Sequence, residues 1–170
     1  MDGEGDMRVL GIDPGLQKTG IGVIDANNGK MTPVFFETFH PKKTFSRYEK
    51  LCSIFDQISQ VIDELHPDAF ALEDIFYGQN FKVAIRLGEA RSAAILAATF
   101  KKVPIREYLP TRVKEAICGN GRAAKRQVQH MVMGLLGIVE LPEEDAADAL
   151  AVAMCHVQSD QTDLRARIKK

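Results

Sequence analysis

One stretch limits what this chain can fold into more than any other: Val9-Leu10-Gly11-Ile12-Asp13-Pro14-Gly15, continued by Thr19-Gly20-Ile21-Gly22-Val23-Ile24. An apolar strand runs into an aspartate, turns at Pro14-Gly15, and a second strand begins near Gly20. Pro14 cannot continue a sheet ladder, while Gly20 and Gly22 let another backbone or a ligand come close. A carboxylate at the tip of a buried strand is costly unless something there uses its charge. An Asp-Pro-Gly turn is common in hairpins, so Asp13 needs support from elsewhere in the chain.

Downstream the pattern alternates between strand and helix. Asn27 to Lys30 reads as a turn and Pro33 to Phe39 as a third strand. From Ser46 to Leu65, apolar residues recur at Tyr48, Leu51, Phe55, Ile58, Val61, Ile62 and Leu65, the period of an amphipathic helix that stops before Pro67. Cys52, near that apolar stripe, reads as core. Ala69 to Phe76 is a central strand that delivers Glu73 at its exit, repeating the pattern of Asp13. An alanine-rich helix follows from Phe81 to Phe100, with Arg86 and Arg91 expected on its polar surface. Val103 to Tyr108 is a strand in which Pro104 predicts an early or an edge position. Thr111 is the expected cap of a short helix ending at Gly119-Asn120-Gly121. Lys125 to Leu136 is helical by period, and Pro142-Glu143-Glu144-Asp145 opens a last helix that is expected to fray beyond Gln158.

A length of 170 residues suits one domain, and 45% hydrophobic with 26% charged residues suits a globular fold. The acidic, polar opening MDGEGDMRV and the lack of a bilayer-length apolar run argue against a secretory leader or membrane anchor. Three cysteines without CxxC spacing indicate neither a disulfide framework nor a zinc site, so a reducing, cytoplasmic location is expected. The net charge of −1 hides a segregation. Asn80 to His130 carries eleven Lys and Arg against three acids, +8, which leaves −9 for the remainder. Such an excess points to a polyanion partner for the middle of the chain, although solvated helix faces also carry cations.

Asp145 and Asp148 are three residues apart, so on a helix they share a face. Alone they are also consistent with an acidic first turn. Together with Asp13 and Glu73 they make four carboxylates delivered by separate parts of an α/β chain, whose strand ends are where such folds gather their sites. Hard oxygen donors without His or Cys suit Mg²⁺ or Mn²⁺. Two such ions can drive phosphodiester hydrolysis while nearby cations hold the nucleic-acid backbone. Acids for metals beside cations for phosphates describe a nuclease, with Arg86, Arg91 and Arg122 as candidate DNA contacts.

The motifs GIDPG with TGxGV, ALExxF, LGxAR from Leu87 to Arg91, GNGxAxKxQVQHM from Gly119 to Met131 and DAADALAxA from Asp145 to Ala153 run in order from about Arg8 to His156. In this set the chain closely resembles the RuvC family of bacterial Holliday-junction resolvases. The resemblance implies an RNase H-like α/β fold, a five-stranded mixed sheet flanked by helices. The chain is read as a single nuclease domain over residues 1–158, followed by a basic, disordered tail over 159–170; the stretches before Met7 and after Gln158 fall outside the matched motifs. By motif position, Asp13, Glu73, Asp145 and Asp148 match the metal-binding catalytic acids. Phe76 matches an aromatic that stacks at the crossover, although a phenylalanine there is also an ordinary core residue. Lys114 and Lys125 match lysines that support DNA binding and catalysis. The resemblance further implies two Mg²⁺ ions per site, replaceable by Mn²⁺, a homodimer on a four-way junction, and work with a RuvA–RuvB branch-migration complex.

Three other readings are weighed. An actin- or sugar-kinase-like ATPase shares the strand-Asp-Gly-strand opening but duplicates its domain, for which this chain is too short. A non-catalytic DNA-binding module gains nothing from four acids beside its phosphates. Another RNase H-type nuclease shares the metal chemistry and differs in substrate shape, and the segment Gly119 to Met131 favours the resolvase.

Overall fold

In the computed structural model the described residues are 6–74 and 80–168, with side chains described up to residue 160. Three strands come first: β1 (Met7–Asp13), β2 (Thr19–Asn27) and β3 (Lys30–Phe39). The helix α1 (Arg47–Leu65), β4 (Ala69–Glu73), α2 (Phe81–Phe100) and β5 (Ile105–Tyr108) follow, and α3 (Pro110–Cys118), α4 (Lys125–Leu136) and α5 (Glu144–Ile168) complete the order. The strands form one sheet in the order β3-β2-β1-β4-β5. The β1–β2 and β2–β3 pairs are antiparallel, and β1–β4 and β4–β5 are parallel. The sheet is therefore mixed and five-stranded, with β4 interior and β5 at the edge, beginning just after Pro104.

Strand alternation sends side chains to two separate cores. Leu10, Ile12, Phe70 and Leu72 face α1 and α2, against Ile54, Ile58 and the alanine face Ala90, Ala94 and Ala97. Val9 and Ala71 face the other way, toward α3, α4 and α5, against Val113, Val128, Leu150 and Val152. Burial on both faces explains why β1 and β4 read as continuous apolar runs rather than alternating ones.

Helix ends follow local chemistry. Ser46 caps α1 reciprocally: its Oγ accepts from the Glu49 amide, and Glu49 Oε2 accepts from the Ser46 amide at 2.7 Å. The cap of α3 is Leu109 rather than Thr111, because Pro110 takes the first helical position, where its missing N–H costs nothing. Cys52 is exposed, not core, since the buried stripe of α1 runs through Ile54, Ile58, Val61 and Ile62. The last helix continues to Ile168, past Gln158, where fraying is expected. Ser159 to Ile168 contains neither Gly nor Pro, and Leu164, Arg165, Ala166 and Arg167 favour helix.

Three glycines bring the backbone of α5 close onto β1 and β2. A methyl group at Gly20 would overlap the Asp145 carbonyl oxygen, and one at Gly11 the Ala149 carbonyl oxygen. At Gly22 it would stand 2.7 Å from the Leu150 amide nitrogen. Gly20→Ala is therefore expected to lower stability by about 1–3 kcal/mol in urea denaturation, the usual cost of overpacking. A variant as stable as the parent would show that the helix can move away freely.

Candidate active site

The strand register brings the first two acids together. Ile12 of β1 lies opposite Leu72 of β4 in parallel pairing, so Asp13 and Glu73 leave the sheet side by side. Both share the face of Gly11 and Ala71, which is the face covered by α5. The turn after Asp13 is tied by the buried Thr19, whose hydroxyl donates to the Gly15 carbonyl at 2.8 Å. On the helix side, the Asp145 backbone lies against Gly20, the β2 partner of Asp13. The first turns of α5 thus stand over the ends of β1 and β4, with Asp145 and Asp148 beside the two strand-borne acids.

The electrostatics follow from that crowding. Burial first, then the charges of Asp148, Asp145 and Glu73, push the Asp13 carboxyl up to about 7. Glu73 is raised by burial and by Asp148, and the nearby Lys114 and Lys125 oppose the rise. Asp148 is raised by burial, against the pull of Lys125. Lys125 Nζ stands 2.9 Å from Asp148 Oδ2 and also pairs with Glu144 Oε1. Burial pulls its ammonium down, but these two carboxylates outweigh that and hold it charged above its ordinary range. Lys114 and Lys125 line a cavity of about 210 Å³ together with Glu73 and Asp148.

Among the described residues no group of three or more His, Cys, Asp or Glu closes into a ready-made metal cage. Asp148 is paired with Lys125, so a cation bound at the acids would compete with that ammonium. The donor set still fits a hard divalent cation. It consists of carboxylate oxygens whose mutual repulsion, expressed in the raised Asp13, a cation would relieve.

The remaining sequence candidates separate. Lys114 and Lys125 are at the acids. Arg86 is exposed on α2, beside the Gly15–Lys18 turn, and Arg122 is exposed between α3 and α4. Arg91 is not on the polar surface. It is 8% exposed and bound to acids and backbone, because it points inward among the alanines of α2. Phe76 lies outside the described residues. Sequence reasoning missed Glu144, the second partner of Lys125, by reading Glu143-Glu144 only as an acidic first turn.

Asp13 makes the site a local source of instability. Its folded pKa is raised, so the cost of carrying its charge is full above about 7, fades as pH falls, and vanishes below its ordinary value near 4. Asp13→Asn in chelator is expected to melt several degrees higher than the parent at pH 8 and to match it near pH 4. Adding Mg²⁺ at pH 8 should raise the parent more than the variant. Calorimetry that finds the Asn variant less stable at pH 8 would contradict the raised carboxyl.

The family model for crossover junction endodeoxyribonuclease RuvC matches residues 9–156. The chain is 44% identical over 160 residues to the crossover junction endodeoxyribonuclease RuvC of Trichlorobacter lovleyi, covering 94% of this chain and 90% of the relative. It is similar to the structure of T. thermophilus RuvC in complex with a Holliday junction substrate, with a TM-score of 0.86 and 33% identity over 92% of this chain and 96% of that one. The yeast mitochondrial Holliday junction resolvase Ydc2 shares the fold, with a TM-score of 0.68 at 15% identity, covering 96% of this chain and 83% of that one. The carboxylate pattern, the mixed sheet and a family match over most of its length place this chain in the RuvC family of crossover junction endodeoxyribonucleases.

Proposed function

We propose that this protein is a metal-dependent endonuclease that resolves four-way DNA junctions by paired nicks on opposed strands. The observation that carries the reading is the convergence of Asp13, Glu73 and Asp148 with Asp145 at one end of the sheet, beside Lys114 and Lys125. Metal dependence is a property of the family. Here Asp13, Glu73, Asp145 and Asp148 would hold two Mg²⁺ ions, with Mn²⁺ as a substitute. Bound there, such ions supply activation of a water for attack at phosphorus and neutralisation of the leaving oxygen.

The chain's own residues supply binding and orientation. Lys114 and Lys125 reach the cavity from α3 and α4 and neutralise the phosphate that approaches the acids. Arg86, exposed on α2, and Arg122, exposed between α3 and α4, are the further cations assigned to the DNA backbone. Water attacks phosphorus and the P–O3′ bond breaks. Each nick therefore carries a 5′-phosphate and a 3′-hydroxyl that a ligase can rejoin.

A junction presents two strands to cut, and one chain offers one cluster of acids, so we assign the working unit to a homodimer. The exposed apolar side of α2, with Ile85 61%, Leu96 49% and Phe100 72% exposed, borders a groove against α1 at Leu51 and Phe55 and fits a second copy. No helix among the described residues is long and apolar enough to cross a membrane. Three cysteines without CxxC spacing support the reducing cytoplasm as the place of action, and the family resemblance supports a RuvA–RuvB branch-migration complex as partner.

The deciding experiment offers a mobile four-way junction, a linear duplex of the same sequence and an RNA–DNA hybrid, each with Mg²⁺. Paired nicks on the junction alone are expected. Cutting of the hybrid would move the protein to a general RNase H-type nuclease, and tight binding without cutting to a DNA-binding module. Asp145→Asn should abolish cutting and leave junction binding near the parent level. Ile85→Glu, a surface change, should shift the protein to a monomer by light scattering and uncouple the paired nicks. A dimer that persists would assign the interface to another face.

A further inference from the structure

We propose that Arg91 is a positioning residue for Glu73, acting from the sheet face opposite α5 and not on DNA. The proposal rests on the reading of Glu73 as a site acid. Arg91 belongs to α2, yet its guanidinium reaches the exit of β4. Nη1 donates to the Glu73 carbonyl oxygen at 2.5 Å. Nη2 stands 2.9 Å from Glu107 Oε2 and 3.7 Å from Asp74 Oδ1. The side chain is 9% exposed.

Each partner has a physical reason to be there. Glu73 is the last residue of β4, and its carbonyl leaves the sheet where the regular ladder ends. Beyond it, the Asp74 amide still donates to the Tyr108 carbonyl at 2.7 Å, so the end of β4 is fastened to β5 on one side and to α2 on the other. A buried guanidinium is tolerated only with its charge compensated, and Glu107 with Asp74 supplies that compensation. The same acids leave little net positive charge for a phosphate. The planar fork fixes the peptide plane after Glu73 by bonding a carbonyl and a carboxylate at once, and a lysine ammonium cannot reproduce that geometry. The Glu73 side chain, on the α5 face, is then aimed by a clamp it does not touch. Partners of ligand residues commonly change metal affinity or activity 10- to 100-fold when altered.

Arg91→Lys keeps the charge and removes the fork. Four measurements are made beside the parent: melting temperature, junction affinity against salt in chelator, Mn²⁺ affinity by calorimetry without DNA, and single-turnover cleavage. Cleavage is expected to slow ~10- to 100-fold and Mn²⁺ affinity to weaken with it. Junction affinity should stay within about twofold with an unchanged salt slope, as for a residue away from phosphate. Parent-level Mn²⁺ affinity and cleavage would overturn the proposal, and so would lost junction affinity with a shallower salt slope. Should Arg91→Lys fail to fold, Glu107→Gln decides. It is expected to shift Mn²⁺ affinity and cleavage the same way by a smaller factor, and no shift overturns the clamp. Glu73→Gln runs in parallel. If it cleaves normally, the acid assignment itself fails. If it is inactive while Arg91→Lys is unchanged, only the clamp fails.

Discussion

The contact on which the rest of the structure depends is the backbone-to-backbone approach of α5 to the β1–β2 hairpin. Gly11 and Gly20 have no side chain to hold the helix off, and the carbonyls of Ala149 and Asp145, one helical turn apart, occupy that space. The helix answers with small residues of its own, Ala146, Ala149 and Ala153, all buried. A carboxylate side chain is short. Only a helix lying this close can bring Asp145 and Asp148 to the acids at the strand ends.

What that approach assembles is unfavourable by itself. Burial and three neighbouring carboxylates work against the charge on Asp13, and Lys114 and Lys125 relieve the cluster only in part. The two apolar layers on either face of the sheet hold the arrangement together, from Ile54 and Ile58 on one side to Leu150 and Val152 on the other. Such a division of labour, stable layers carrying a strained polar edge, is the usual compromise between stability and activity. The ion pair of Lys125 with Asp148 shows how the edge is kept tolerable. One cation already inside the cluster lowers the repulsion before any other arrives.

Much of this was legible in the residues, for identifiable reasons. The β1–β2 hairpin announces itself through Pro14-Gly15, and α4 through the spacing of Val128, Val132 and Leu136. The acids stand out because each closes or opens an apolar segment. Arg91 was misread because α2 is alanine-rich on its buried side, so hydrophobic periodicity separates inside from outside poorly there. Its partners Asp74 and Glu107 come from other elements, and nothing local in the chain marks their convergence. Cys52 and Thr111 failed for simpler reasons: a stripe displaced around α1, and a proline that claims the first position of α3.

The double duty of α5 has a further consequence. Asp145 and Asp148 are on the same rod as Ala149, Leu150, Val152 and Ala153, which pack into the sheet and its core. Core and chemistry therefore share one angular phase, since each residue advances the helix by about 100°. Inserting a single residue between Asp148 and Ala149 would turn the acids away from the strand ends while Ala149, Leu150, Val152 and Ala153 kept their seats. This helix behaves as a key cut to a fixed register.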